Sequence, residues 1–141
     1  MKRQRKSAAK TRIFLSCRRL LDVLISVTNN FPKSVKFTIG SRITDICIDM
    51  LLDITRAYTI PESRLKDLNT LISRYDVLKV LLTVAGENKW IQGNRKYAEI
   101  IEIMNEIECQ AVAWRGSLDK GIDDRTLPES QGQGLASEQV I

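Results

Sequence analysis

There is no histidine anywhere in these 141 residues. That absence removes Ser–His and Cys–His nucleophile activation, imidazole metal ligands and the usual general base near pH 7. The chain therefore reads as a protein that binds partners and not as an enzyme, with no cofactor called for. Long apolar runs are also missing, and none approaches the roughly 20 residues needed to span a bilayer. The basic N-terminus does not read as a secretory leader, because Arg18, Arg19 and Asp22 interrupt the apolar stretch and no small-residue cleavage site follows. Cysteine is scarce: Cys17, Cys47 and Cys109 fall in separate apolar-periodic segments. An odd count without close spacing points to reduced core thiols, not to a disulfide frame or zinc site, and so to the cytoplasm. No glycine-rich phosphate loop exists, since Gly86 and Gly93 bracket a turn without the Gly-Lys-Ser/Thr ending.

What remains is enough for one domain. A hydrophobic fraction of 43% and a charged fraction of 28% fit a chain that buries a real core without staples. The net charge of +5 is unevenly placed. Residues 1–19 hold Lys2, Arg3, Arg5, Lys6, Lys10, Arg12, Arg18 and Arg19 and no acid; residues 20–117 balance 12 bases against 12 acids; the tail from Leu118 holds 2 against 5. The pattern is a neutral body with a basic arm and an acidic tail.

Four segments carry helical periodicity. The first places Ile13, Cys17, Leu20, Leu24, Val27 and Phe31 at spacings of three and four, and ends at Asn29-Asn30 and Pro32. The second opens with Thr38 as its N-cap and runs through Ile43, Ile46, Cys47, Met50 and Ile54 to the Thr59-Ile60-Pro61 break, with Pro61 suited to the first turn of the next helix. The third runs from Leu65 to Ala85 and stops at Gly86; its Val77–Val84 end resembles a buried strand, but the helical period enters it unbroken. The fourth begins after Gly93-Asn94, shows Tyr97, Ile100, Met104, Ile107, Ala111 and Trp114, and closes at Gly116. Short connections between four such segments predict an all-α fold, an up-down-up-down antiparallel four-helix bundle. Its expected limits are a basic arm over residues 1–11, the bundle over 12–118 and a disordered C-terminal tail over 119–141. On a helical wheel the apolar arc of the first helix covers about 160°, against the 100° or so that one core requires, and the end of the third helix is apolar nearly all round. Such surplus predicts a homo-oligomer.

Asp45, Asp49 and Asp53 recur every four residues on one face of the second helix. Bundle metal sites add Glu-x-x-His pairs that this chain lacks, and Arg42 and Arg56 flank the ladder, so it reads as a solvated, ion-paired face. Glu99, Glu102 and Glu106 read the same way. Trp90 and Trp114 are expected in the core. The arm reads differently: eight cations without an acid neutralise several phosphates, and counterion release drives binding to RNA or DNA. The arm lacks the bulky apolar anchors that a membrane surface demands.

One motif is more specific. Phe31-Pro32-Lys33-x-x-Lys36-Phe37-Thr38-Ile39-Gly40-x-x-Ile43 closely resembles the loop and second-helix opening of small bacterial four-helix-bundle proteins. These are the ribosomal intervening-sequence proteins and Avd, the accessory variability determinant of diversity-generating retroelements. The resemblance covers roughly residues 14–118 and continues through Tyr97, Glu106-Ile107 and Trp114. The chain departs where the family commonly has Gly-Arg-Gln-Leu-Gly-Gly-Trp, carrying Glu108-Cys109-Gln110-Ala111-Val112-Ala113-Trp114 instead. In physical terms Phe31 and Phe37 are expected to plug the bundle end, Thr38 to cap the next helix and Gly40 to permit tight packing. The resemblance implies a homopentameric barrel that binds nucleic acid and a reverse transcriptase, supporting error-prone copying of a template RNA into cDNA. It adds Lys33, Lys36 and Arg42 to the arm as nucleic-acid contacts. The intervening-sequence branch implies the alternative, a plain RNA-binding or assembly protein without a polymerase partner.

Overall fold

The computed structural model describes residues 7–119; Lys2, Arg3, Arg5 and Lys6 of the arm, and the tail from Lys120, lie outside the described residues. Four long helices follow one another: α1 (Arg12–Asn29), α2 (Ser41–Thr59), α3 (Arg64–Glu87) and α4 (Asn94–Asp119). No strand occurs among the described residues. Each helix packs on two neighbours, α1 and α3 both touching α2 and α4, so α1 and α3 are diagonal across the core.

Side-chain pairs fix the directions. Ser16 meets Glu106 and Arg19 meets Glu99 between α1 and α4. Arg74 meets Asp49, and Arg56 meets Asp67, between α2 and α3. Tyr75 meets Glu108, and Asn69 meets Arg115, between α3 and α4. In every pair one number rises as the other falls, so the bundle is up-down-up-down and antiparallel.

The helix starts follow local chemistry. The Thr11 hydroxyl accepts from the Phe14 amide at 3.3 Å and caps α1. Ahead of it Ala8–Lys10 forms a 3-10 turn, and Ala8 is buried against the bundle. At the far end of α1, Phe31 is buried and tilts against Trp90 with ring centroids 5.9 Å apart. The α2–α3 link is a 3-10 turn, Pro61–Ser63, with Pro61 at its first position. The Arg64 guanidinium then donates to the carbonyls of Ala57 and, at 3.0 Å, Tyr58, satisfying groups that end α2. The end of α3 is a Schellman cap: Trp90 N–H reaches the Ala85 carbonyl at 2.9 Å and Lys89 N–H the Gly86 carbonyl at 3.1 Å, with Lys89 left-handed at φ 60°.

Inside the ring lie Leu20, Leu24, Ile43, Met50, Ile54, Leu68, Leu71, Leu78, Leu82, Ile100, Ile103 and Trp114, all essentially sealed from solvent. Each contributes roughly 1.5–3 kcal/mol of transfer free energy. Cys17 and Cys47 face one another across α1 and α2 as buried free thiols, and Cys109 is half-buried and also free.

Several local expectations need correction. Thr38 is not a cap. Pro32 starts the helical path earlier, through Lys33–Val35, and a π turn over Lys36–Gly40 joins that path to α2. The Thr38 hydroxyl instead donates back to the Val35 carbonyl at 3.3 Å. Phe37 does not plug the bundle end: the π turn carries it outward, and it is 71% exposed. Gly40 faces α1, but a Cβ there would stand 3.5 Å from Phe31 and Thr28, an ordinary contact, so no unusually close approach depends on it. The tight glycine is Gly86, where a Cβ would lie 2.8 Å from the Tyr97 ring. Gly86 does not end α3, nor Gly116 end α4. Asp53 is not solvated: its side chain is 5% exposed and its carboxylate meets the Arg74 Nε of α3 at 2.8 Å.

Candidate nucleic-acid interface

Antiparallel packing sorts the cations onto two ends of the molecule. Lys10 and Arg12 stand at the end formed by the start of α1 and the close of α2, both exposed. Lys33, Lys36 and Arg42 stand at the opposite end, with Lys33 and Arg42 exposed and Lys36 half-buried. The 18 residues of α1, at about 1.5 Å per residue, hold the two groups roughly 27 Å apart. Arg18 and Arg19 lie between them on the outer face of α1, and Arg19 pairs with Glu99 at 3.7 Å. The seven expected contacts among the described residues thus do not form a single patch.

The second end is more basic than the sequence suggested. Because Phe31 packs on Trp90, the α3–α4 link folds beside the α1–α2 link and brings Lys89, Arg95 and Lys96 to the same end, all exposed. Lys96 also approaches Glu99 at 3.8 Å. These three were missed because Lys89 and the Arg95-Lys96 pair lie in a stretch whose bases and acids balance. The signal available was topological: in an up-down-up-down bundle the first and third links share one end.

That end also holds a groove of about 240 Å³ between α1, the π turn and α2, walled by Thr28, Asn29, Lys36, Phe37, Ser41 and Thr44. The Lys36 ammonium lies 5.5 Å from the Phe37 ring centroid, within cation–π range.

The perturbed titratable groups sit elsewhere. Burial, opposed by the Arg74 guanidinium and helped by the charges of Asp67 and Asp49, pushes the Asp53 carboxyl up to about 6. The Asp53–Arg74 contact is too poorly aligned for a good hydrogen bond, so the attraction is chiefly between charges. The Cys17 thiol is pushed up by its hydrogen bond with Cys47 and by burial, and Tyr75 by burial and the nearby Glu108 carboxylate. All three are packed between helices. Among the described residues no group of three acidic or cysteine side chains is placed to hold a metal ion, and no helix is long and apolar enough to cross a membrane.

The fold is an all-α four-helix bundle with exposed cations at both ends. The chain belongs to the bAvd-like family, whose model matches residues 9–118, all of the bundle except its last helical residue. No curated protein matches the sequence.

Proposed function

We propose that this protein is a non-enzymatic accessory subunit of a diversity-generating retroelement, holding a reverse transcriptase and its template RNA together for mutagenic cDNA synthesis in the cytoplasm. The observation that carries this reading is the bAvd-like match over residues 9–118. The distribution of charge agrees with it. Lys2, Arg3, Arg5, Lys6, Lys10, Arg12, Arg18 and Arg19 supply phosphate contacts from the arm and α1, and Lys33, Lys36 and Arg42 supply them from the far end. Such contacts bind electrostatically and with little regard to base sequence.

The subunit acts as a ring of copies, five on the family resemblance. Ile25 of α1 with Ile48 and Leu52 of α2 leave one apolar face exposed, and Val77 with Val80 of α3 leave another. α1 and α3 are diagonal in the bundle, so the two faces point differently. Two unlike faces favour head-to-tail association that closes into a ring, as opposed to a self-paired dimer. Light scattering is expected to give several times the 16.0 kDa chain mass, and Ile48→Glu and Val80→Glu, each alone, to reduce it to the monomer.

The test is co-purification with the neighbouring polymerase, followed by cDNA synthesis with wild-type protein and with Lys2, Arg3, Arg5 and Lys6 changed to alanine. The variant is expected to retain the polymerase and lose RNA affinity and cDNA yield. Full cDNA synthesis by the polymerase alone would sink the accessory role and leave a plain RNA-binding bundle.

A further inference from the structure

The π turn places an aromatic ring where a core argument would not put one. Phe37 is the most exposed large apolar side chain among the described residues. It stands at the rim of the α1–α2 groove, with the Lys36 ammonium over one face of its ring and the other face left for stacking. Asn29 and Ser41 bring an amide and a hydroxyl to the groove, the Thr28 and Thr44 hydroxyls being already donated to helix carbonyls, and no carboxylate lines it. Beyond the rim, Lys33, Arg42, Lys89 and Arg95 add exposed positive charge at the same end of the bundle.

Three properties of this site select its occupant. A flat ring open to solvent offers a stacking face that any base can use. The adjacent cations need an anion, and a phosphate joined to the stacked base supplies one at the right range. Hydroxyl and amide groups serve the polar edge of a base that has left its helix. A second copy presenting its own basic end would be repelled here, and Ile25 is the one residue that the groove shares with the exposed apolar face of α1 and α2. A duplex fits poorly as well, because its bases are already stacked on one another.

We propose that the Phe37 groove seats one unpaired base of single-stranded RNA, stacked on Phe37, with Lys36 and Lys33 on the flanking phosphates. This rests on the RNA-binding reading above and adds a preference for single strands that the arm alone does not supply.

The experiment measures the affinity of the full-length oligomer for fluorescent single-stranded oligouridine and for an RNA duplex. The variants are Phe37→Leu, Phe37→Trp, Lys36→Gln and a deletion of residues 2–12. Phe37→Leu keeps the bulk and removes the π face, and is expected to weaken single-strand binding about 5- to 10-fold while leaving duplex binding unchanged. Phe37→Trp is expected to restore single-strand affinity. Lys36→Gln should lower the salt slope on the single strand by about one phosphate contact. Deleting the arm should weaken single strand and duplex alike. Unchanged single-strand affinity in Phe37→Leu, or an equal loss on both RNAs, overturns the proposal. So does a fall in oligomer mass for Phe37→Leu, which would make Phe37 a contact between copies. If the wild-type protein binds neither RNA, the RNA-binding reading itself fails, which is a different result from a protein that binds RNA without using Phe37.

Discussion

Helix α2 is held by two seams of opposite construction. Towards α1 it presents Cys47 and Thr44, with Gly40 of the π turn just ahead of it, and these meet Cys17 and Thr28. The polar groups there are satisfied close to home. Thr28 donates to the Leu24 carbonyl at 2.8 Å, and Thr44 to the Ser41 carbonyl at 3.0 Å. Towards α3 it presents Asp49, Asp53 and Arg56, which reach across to Arg74 and Asp67, and Asp67 accepts in turn from the Ser63 hydroxyl at 2.7 Å. The first seam rests mainly on volume, with the Cys17 and Cys47 thiols each donating to the other residue's backbone carbonyl at 3.9 and 3.7 Å. The second depends on partners arriving from another helix at the right register, and it carries the cost of a buried carboxylate. A bundle held by one seam of each kind has both stability and a defined pairing of its helices.

Substitutions can separate the two seams, and the largest effect is expected on the apolar side. Leu24 is fully buried on α1, so Leu24→Ala should lower the unfolding free energy by about 2–5 kcal/mol in urea titrations. A smaller loss would mean that the core collapses into the space. Next comes Arg74→Ala, which leaves Asp53 buried without its cation. A loss of about 2 kcal/mol is expected, and it should be greater at neutral pH than at about pH 5, where Asp53 can escape the penalty by taking a proton. A pH-independent loss would mean that Arg74 acts by packing.

The third prediction concerns pH directly. Asp53 has a folded value of about 6 against an ordinary 3.8, so the folded chain binds this proton more tightly than the unfolded one. Its contribution is therefore full below about pH 4 and is lost as pH rises through about 6. The groups that face it are Asp49 and Arg56 of α2, Asp67 and Arg74 of α3, and the Cys17 thiol of α1. Asp53→Asn should remove the dependence, so that the stability of wild type relative to the variant falls across that window; parallel curves would mean that Asp53 stays ionised throughout. The smallest effect is expected for Thr28→Val. Its hydroxyl serves only its own helix, and stability should change by no more than about 0.5 kcal/mol. A loss well above that would show that the hydroxyl matters to the α1–α2 seam after all.

Much of the fold was legible before any coordinates. Asn29-Asn30 and Pro61 mark the breaks because capping and proline chemistry act within a few residues, and Leu65 to Ala85 keeps its helical period through a stretch rich in valine and leucine. Gly86 and Gly116 misled because a glycine ends a helix only where the chain needs a left-handed residue. In this bundle Lys89 takes that role for α3, and α4 continues through Gly116 to Asp119. The placing of the cations was half legible: arm cations declare themselves by density, while Lys89, Arg95 and Lys96 join the basic end only when the links of the up-down-up-down bundle are followed.

Periodicity, capping and local charge density depend on neighbours along the chain, so the four helices, the side of each that faces inward and the concentration of charge at the N-terminus follow from residue order. Only the packed molecule reveals that Asp53 leaves solvent to meet Arg74 and that a π turn carries Phe37 outward. Those outcomes depend on which helix stands beside which and at what register, and a difference of one residue in a turn rotates every side chain that follows it by about 100°.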